Sequence, residues 1–164
     1  RAEPLANPAR RARGQSMQHY HHEARIEAPV EHVWAFFLDA THWADWMPRR
    51  KTTDISGPLD QVGTTFTQSA TLMGHEMKWT TEIVEIEPQR LVHLRSDWTS
   101  MDTTFRFEPD GEATKLVIES DYEMPGKLPG FLKDLMSKGW MERNNRQMFE
   151  DFKALAEAKV PAHA

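Results

Sequence analysis

The sequence predicts an α+β helix-grip fold, in which a curved antiparallel sheet wraps around one long C-terminal helix. Apolar and polar residues alternate through most of residues 64–123, which is typical of β-strands. The turns between these segments are short, so neighbouring strands must run antiparallel. Residues 131–158 contain no proline and carry apolar residues at helical spacing. Because this is the only long helix predicted, we expect it to cover the apolar face of the sheet.

The N-terminal part of this fold is predicted to be one strand followed by two short helices. From Met17, the segment QHYHHEARIEA alternates with a period of two, which predicts a strand. Pro29 suits the start of a helix, and the apolar residues after it recur at helical spacing. A second helix is predicted over Thr41–Met47, with Thr41 as its N-cap and Pro48 ending it.

The middle of the chain is predicted to be a meander of strands separated by turn signals. The predicted strand segments are Thr64–Leu72, Met77–Glu87, Leu91–Asp97, Thr103–Glu108 and Thr114–Glu123. The run Ile-Val-Glu-Ile interrupts the alternation and predicts a β-bulge near Val84. The final segment, Phe131 to about Ala158, is predicted to be one continuous amphipathic helix.

Composition limits the classes of function. The chain has 164 residues, a formal net charge of −5 and no cysteine. The acidic balance gives no indication of nucleic-acid binding. The lack of cysteine excludes disulfides, thiolate metal sites and thiol catalysis within this sequence. No apolar run is long enough for a transmembrane helix.

The chain is predicted to be one domain with a short tail at each end. Residues 1–16 contain four arginines, one glutamate and no hydrophobic periodicity, so we expect a disordered basic tail. Residues 17–158 form the predicted domain, and residues 159–164 form a C-terminal tail. No secretory signal is visible in the sequence, so a cytoplasmic location is expected.

Several motifs together resemble the START/Bet v1-type (SRPBCC) superfamily. They are IEAPVEHVWAFFLDATHWADWMP, VGTTF, EIVEIEPQRLVHL and the closing helix. Within that superfamily the chain is similar to the polyketide cyclase/dehydrase and lipid-transport branch, including coenzyme-Q-binding-like proteins. The resemblance implies a deep cavity between the sheet and the long helix that encloses an apolar or amphipathic small molecule. It implies no cofactor and no particular protein partner.

The inward face of the strands and one stripe of the long helix are expected to line such a cavity. The predicted ligand-binding residues are Trp43, Trp46, Phe66, Gln68, Trp79, Thr81, Trp98, Met101, Thr103, Phe105, Ser120, Tyr122, Met136, Trp140, Asn144 and Met148. The two tryptophans after the first helix either close one end of the cavity or fill an ordinary core. The inward methionines either fit variable apolar shapes or fill gaps. The inward polar groups either orient a ligand or bond to a neighbour.

No catalytic residue is predicted. Motifs of serine hydrolases, zinc proteases and nucleotide-binding loops are absent from the sequence. A cyclase or dehydratase would need a proton-transferring group that faces the cavity, and Tyr122 is the best inward candidate. His93 and Arg95 would face inward only if the strand over Leu91–Asp97 had the opposite register.

The histidine-rich segment at the start of the first strand is not predicted to bind a metal. His19 and His21 share one strand face, whereas His22 points to the other. No second cluster of ligating residues is visible in the sequence to complete a coordination shell.

Three functions remain open, in decreasing order of preference. The first is the binding or carriage of a hydrophobic small molecule such as a lipid, a quinone or a polyketide. The second is a cyclase or dehydratase that acts on a polyketide-like substrate. The third is a protein-interaction module, similar to co-chaperone relatives of the same fold, that acts through an external face.

Overall fold

Seven strands form one antiparallel sheet whose inner face is covered by helices. The computed structural model describes residues 17–72, 74–123, 130 and 137–160. The strands are β1 (Met17–Ile26), β2 (Lys51–Thr53), β3 (Thr65–Leu72), β4 (His75–Glu87), β5 (Leu91–Ser96), β6 (Met101–Asp110) and β7 (Ala113–Glu123). The helices in these ranges are α1 (Val30–Phe37), α2 (Trp43–Trp46) and α3 (Lys138–Ala158), with 3₁₀ turns at Ala40–His42 and Trp98–Ser100. The predicted helix-grip fold is confirmed.

The sheet order places the first and last strands side by side. The order is β1-β7-β6-β5-β4-β3-β2, and each neighbouring pair is antiparallel. The register of β4 against β5 shifts between Ile83 and Glu85, which confirms the predicted bulge near Val84. A bulge bends its strand and increases the local twist, so it helps the sheet to curve around the helices. The short strand β2 was not predicted from the sequence.

The second short helical region is capped by Asp39 and not, as predicted, by Thr41. The Asp39 carboxylate accepts a hydrogen bond from the backbone N–H of Thr41 over 3.1 Å. The chain then makes a 3₁₀ turn, and α2 is a single helical turn that ends before Met47. Aspartate ranks above threonine as an N-cap, so the sequence already contained the better choice.

The long C-terminal helix begins at Lys138, whereas the sequence predicted a continuous helix from Phe131. Ser137 has an extended backbone, and its hydroxyl accepts a hydrogen bond from the Trp140 N–H over 3.3 Å. This N-cap starts a new helix, because the capping residue itself cannot be helical. Residues 131–136 lie outside the described residues, as do both predicted tails except for Lys159 and Val160. None of the described helices combines the length and apolarity needed to cross a membrane.

An aromatic core joins α1, α3 and one end of the sheet. Phe107 on β6 packs edge-on against Trp34 and Phe37, with ring centroids 5.1 and 5.4 Å apart. Phe152 on α3 packs against Phe36 at 5.3 Å and against Phe37 at 6.0 Å. Burying side chains of this size contributes roughly 1.5–3 kcal/mol each. These contacts fix α3 across the sheet and so set the space that remains beyond the core.

Candidate functional site

A cavity lies beyond this core, between the inner face of the sheet and helices α2 and α3. Its volume is about 190 Å³, whereas a single ordered water needs only roughly 10–15 Å³. Along β6, Phe107 belongs to the core, while Phe105, Thr103 and Met101 line the cavity. Protein interiors are normally close-packed, so a space of this size is a specific feature of the fold.

Nearly all of the residues predicted to bind ligand lie on the cavity wall. The exceptions are Tyr122, which does not line it, and Met136, which lies outside the described residues. Ligand contact by the others stays a prediction. The sequence had not selected Tyr20, Phe37 or Phe149, which also line the cavity.

Tyr122 faces inward as predicted but lies in the core rather than at the cavity. It is 1% exposed, and its hydroxyl has no hydrogen-bond partner among the residues that the structure describes. Burial, and to a smaller extent the charge of Glu142, raises the pKa of Tyr122. Alternation gives the face of a residue but not its depth along the strand, which explains the difference.

The tryptophan pair after α1 lines the cavity and also packs into the core. The Trp43 Nε1–H donates to the Phe37 carbonyl over 2.8 Å, and the Trp43 ring lies 5.0 Å from that of Phe66. The Trp46 ring lies 5.0 Å from Phe152. Both tryptophans also line the cavity. The core interpretation is therefore correct, and the role of the pair in closing the cavity around a ligand stays a prediction.

Several polar side chains on the wall are bonded to neighbouring groups of the protein. The hydroxyls of Thr103 and Ser120 lie 2.8 Å apart on neighbouring strands. Gln68 Nε2 donates to Thr52 Oγ1 over 3.3 Å, and the Ser96 hydroxyl accepts from a backbone N–H. These hydrogen bonds remove most of the free-energy cost of burying the polar groups. Of the two interpretations of these groups, bonding to a neighbour is the one that the structure shows.

Two arginines just after α2 are the charged side chains on the described part of the wall. Arg49 is exposed, whereas Arg50 is half-buried, and its guanidinium carbon lies 5.5 Å from the centroid of the Trp79 ring. Burial lowers the pKa of Arg50 to about 10, so the group stays protonated at neutral pH. Sequence reasoning missed both, because a loop has no periodicity that would assign a face. Their position directly after the tryptophan pair was the available signal.

Next to the cavity, Tyr20 and His22 stack beneath α3. The two rings lie 6.3 Å apart, and His22 lies 6.0 Å from Phe149. Burial raises the pKa of Tyr20 to about 12, so its hydroxyl stays protonated. Burial also lowers the pKa of His22, against the opposing charge of Glu150. The 3.8 Å between His22 Nε2 and the Glu150 carboxylate is too long for a hydrogen bond.

The two residues of β5 that a one-residue register slip would have turned inward lie on the outer face of the sheet. His93 and Arg95 both contact Asp102 on β6, over 3.0 and 3.2 Å. The register assigned from the sequence is therefore correct, and neither residue reaches the cavity. Burial raises the pKa of Asp102, but the bonds and charges of these two partners outweigh it and lower the pKa overall.

The outer face also carries two of the three histidines of β1. His19 Nδ1 lies 2.7 Å from Asp121, and His21 contacts both Glu119 and Glu23 over 3.2 Å. His19, His21 and Glu119 offer metal-ligating atoms within 4.8 Å of one another. The sequence analysis missed Glu119 because only the β1–β7 register brings it opposite His21. These exposed groups already bond to one another, and the absence of a metal site stays a prediction.

Comparison with known families identifies the group to which this fold and cavity belong. The profile of the family described as Polyketide cyclase / dehydrase and lipid transport matches residues 17–157. The chain belongs to this family. The narrower resemblance to coenzyme-Q-binding-like proteins is not established by this match. No protein with a curated description matches the chain.

Solved structures share the fold at low sequence identity. The Zhui aromatase/cyclase from Streptomyces sp. R1128 is 24% identical with a TM-score of 0.72, over 90% of this chain and 98% of that one. Norcoclaurine synthase from Thalictrum flavum, in complex with dopamine and hydroxybenzaldehyde, is 15% identical with a TM-score of 0.65, over 90% and 91%. Ara h 8.0201 is 8% identical with a TM-score of 0.66, over 88% and 100%. These likenesses show the Bet v1-type helix-grip fold.

Proposed function

We propose that this protein encloses a hydrophobic small molecule in the cavity, as a binding or carrier protein. The observation that carries the proposal is the cavity itself, about 190 Å³ of space with a mainly aromatic, aliphatic and methionine wall. An unfilled apolar space costs stability, because the side chains around it lose contacts. A ligand would restore those contacts, and apolar walls with a few polar groups are typical of small-molecule sites. The candidate ligands are a lipid, a quinone or a polyketide-like molecule.

The methionines support a ligand of variable shape. Met47, Met77, Met101, Met141 and Met148 all line the cavity. Methionine side chains have three rotatable bonds and a polarisable sulfur, so they adapt to different apolar partners.

A cyclase or dehydratase is the second candidate function, favoured by the likeness to an aromatase/cyclase over 90% of the chain. Such chemistry needs a proton-transferring group at the ligand. Apart from the arginines, Tyr20 is the ionisable side chain on the described wall, and its hydroxyl is shielded within the protein. This shielding favours binding over catalysis. A turnover that survives in Tyr20→Phe would exclude this tyrosine as the catalyst.

A titration with Nile red, a neutral fluorescent dye, tests the proposed binding function. The matched variants are Thr81→Phe, on the cavity wall, and Thr80→Phe, the neighbouring position that is exposed on the other face. We expect Thr81→Phe to weaken binding by roughly tenfold or more, because the ring occupies cavity volume. We expect Thr80→Phe to bind like the unaltered protein.

Native mass spectrometry of gently purified protein is the companion experiment. A discrete adduct of a few hundred daltons that is released on unfolding would support carriage and give the ligand class. If the protein carries no adduct and binds no dye, or if both phenylalanine variants bind equally well, the proposal is wrong. The cytoplasmic location stays a prediction that fractionation of cells can test.

A further inference from the structure

The charges on the cavity wall have the opposite sign from the chain as a whole. The sequence has 25 acidic and 20 basic residues. On the part of the wall that the structure describes, the charged side chains are Arg49 and Arg50, and no carboxylate lines the cavity. A wall that served only as packing surface would have no need of a cation.

Arg50 differs from the arginines of the outer face in having no carboxylate partner within the described residues. The arginines on the outer face are paired: Arg25 with Glu27 and Asp110, Arg90 with Glu87, Arg95 with Asp102, and Arg106 with Glu119. Arg50 instead lies over the Trp79 ring at 5.5 Å. A cation–π contact compensates only in part for the loss of water around a charge.

The surroundings of Arg50 hold it at the cavity. Its backbone N–H donates to the Met47 carbonyl over 2.9 Å, which closes the turn after α2. Trp79, beneath its guanidinium, is itself 9% exposed and packs against Trp98 at 5.6 Å. Gln68, another wall residue, lies directly opposite Trp79 on β3. The guanidinium therefore lies beside an aromatic pair on the cavity wall.

We propose that the cavity takes an apolar ligand that carries an acidic group, and that Arg50 binds this group. The inference rests on the proposed binding function and adds the chemical class of its ligand. Guanidinium groups bind carboxylates through two parallel hydrogen bonds, which fix orientation as well as adding affinity. The apolar body of the ligand then fills the space between β6 and α3, while its acidic end lies beside β4. An acidic lipid and an aromatic acid share this chemistry.

Displacement of Nile red by matched acids and esters tests the inference. One arm compares dodecanoic acid with methyl dodecanoate, and the other compares naphthoic acid with methyl naphthoate. The two arms distinguish an acyl chain from an aromatic ring as the preferred body. We expect the acid to bind at least about tenfold more tightly than its ester in the preferred arm, because a bond to a charged group is strong.

Three variants locate the source of the preference. Arg50→Met keeps an apolar stem without the charge and should abolish the preference by weakening the binding of the acid to the level of its ester. Arg50→Lys should retain part of the preference, because the charge remains without the two-bond geometry. Arg106→Met, on the outer face and away from the cavity wall, should behave like the unaltered protein.

The possible outcomes separate this inference from the function beneath it. If the unaltered protein binds acid and ester equally, or if Arg50→Met keeps the preference, the inference is wrong and the binding function stands. If Nile red does not bind to the unaltered protein and no acid or ester binds either, the binding function fails and the inference fails with it. If Arg50→Met does not fold, the comparison of acid with ester in the unaltered protein still tests the class of ligand, and Arg50→Lys still tests the role of the guanidinium.

Discussion

The two faces of the sheet treat polar and charged groups differently. On the outer face, charged side chains pair with one another across the strands, as Asp102 does with His93 and Arg95. On the inner face, hydroxyls pair with hydroxyls, as Thr103 does with Ser120, and the charge of Arg50 faces a ring. The charged groups named on the outer face therefore have their partners within the protein. The inner face leaves an open space and a charge without a carboxylate partner among the described residues, and the proposed binding function rests on this difference.

The largest expected effect is on the free energy of unfolding, and it is tested at two adjacent residues of β6. Phe107→Ala should lower the free energy of unfolding by about 3–5 kcal/mol, because it leaves a cavity in the aromatic core. Its ring is 1% exposed and contacts both Trp34 and Phe37. The matched control is Arg106→Ala on the outer face, whose side chain is 45% exposed, and we expect a loss of at most about 1 kcal/mol. Urea unfolding measures both, and similar losses would contradict the assignment of faces.

The next effect concerns the hydroxyl pair inside the cavity. Ser120→Ala leaves the half-buried Thr103 hydroxyl without its partner at 2.8 Å, so we expect a loss of about 0.5–1.5 kcal/mol. Thr103→Val together with Ser120→Ala removes both hydroxyls and should recover part of that loss. The double-mutant cycle gives the coupling energy. Purely additive losses would show that the pair does not interact.

A smaller effect should distinguish the two faces by the pH range in which each loses stability. Burial holds the pKa of His22 below its ordinary 6.5, so the unfolded chain takes up the proton first. The stability that depends on neutral His22 is therefore full above this pH and is lost as the pH falls below it. We expect His22→Gln to flatten that part of the curve of unfolding free energy against pH. The nearby charges of Glu150 and Arg146 are unchanged in this variant.

Asp102 on the outer face should act in a more acidic range. Although burial raises its pKa, the contacts with His93 and Arg95 lower it overall from 3.8. Its stabilising contribution is therefore full above that pH and is lost as the pH falls through the lowered pKa. Asp102→Asn should leave the shape of the curve near neutral pH unchanged. If Asp102→Asn removes the decline that begins near neutral pH and His22→Gln does not, the assignment of the two ranges is wrong.

The features that sequence reasoning predicted well are those with a local periodic signal. Alternation assigned the inner face of β5 correctly, since Val92 and Ser96 are buried while Arg95 is exposed. The interrupted alternation also located the bulge beside Val84, since an extra residue shifts the period. The fold followed, because one long helix and a meander of strands have few ways to bury their apolar faces.

The features that were missed depend on distance in space. Tyr122 has the correct face, but its position along β7 places it in the core. Glu119 reaches His21 only through the pairing of the first and last strands. Arg50 lies in a loop, where no period assigns an inside, and its lack of a carboxylate partner among the described residues is visible only in the structure. Its position directly after the tryptophan pair was the single signal that the sequence offered.

The smallest expected effect belongs to the histidine network on the outer face. His19 Nδ1 and the Asp121 carboxylate lie 2.7 Å apart, but the two side chains are 57% and 55% exposed. Water and salt screen such a pair, and ordering two exposed side chains opposes the attraction, so exposed pairs contribute about 0–1 kcal/mol. We expect His19→Ala to change the free energy of unfolding by less than about 0.5 kcal/mol at neutral pH. A loss as large as that of Phe107→Ala would mean that the outer face stabilises the sheet as strongly as the core, and the contrast between the two faces would fail.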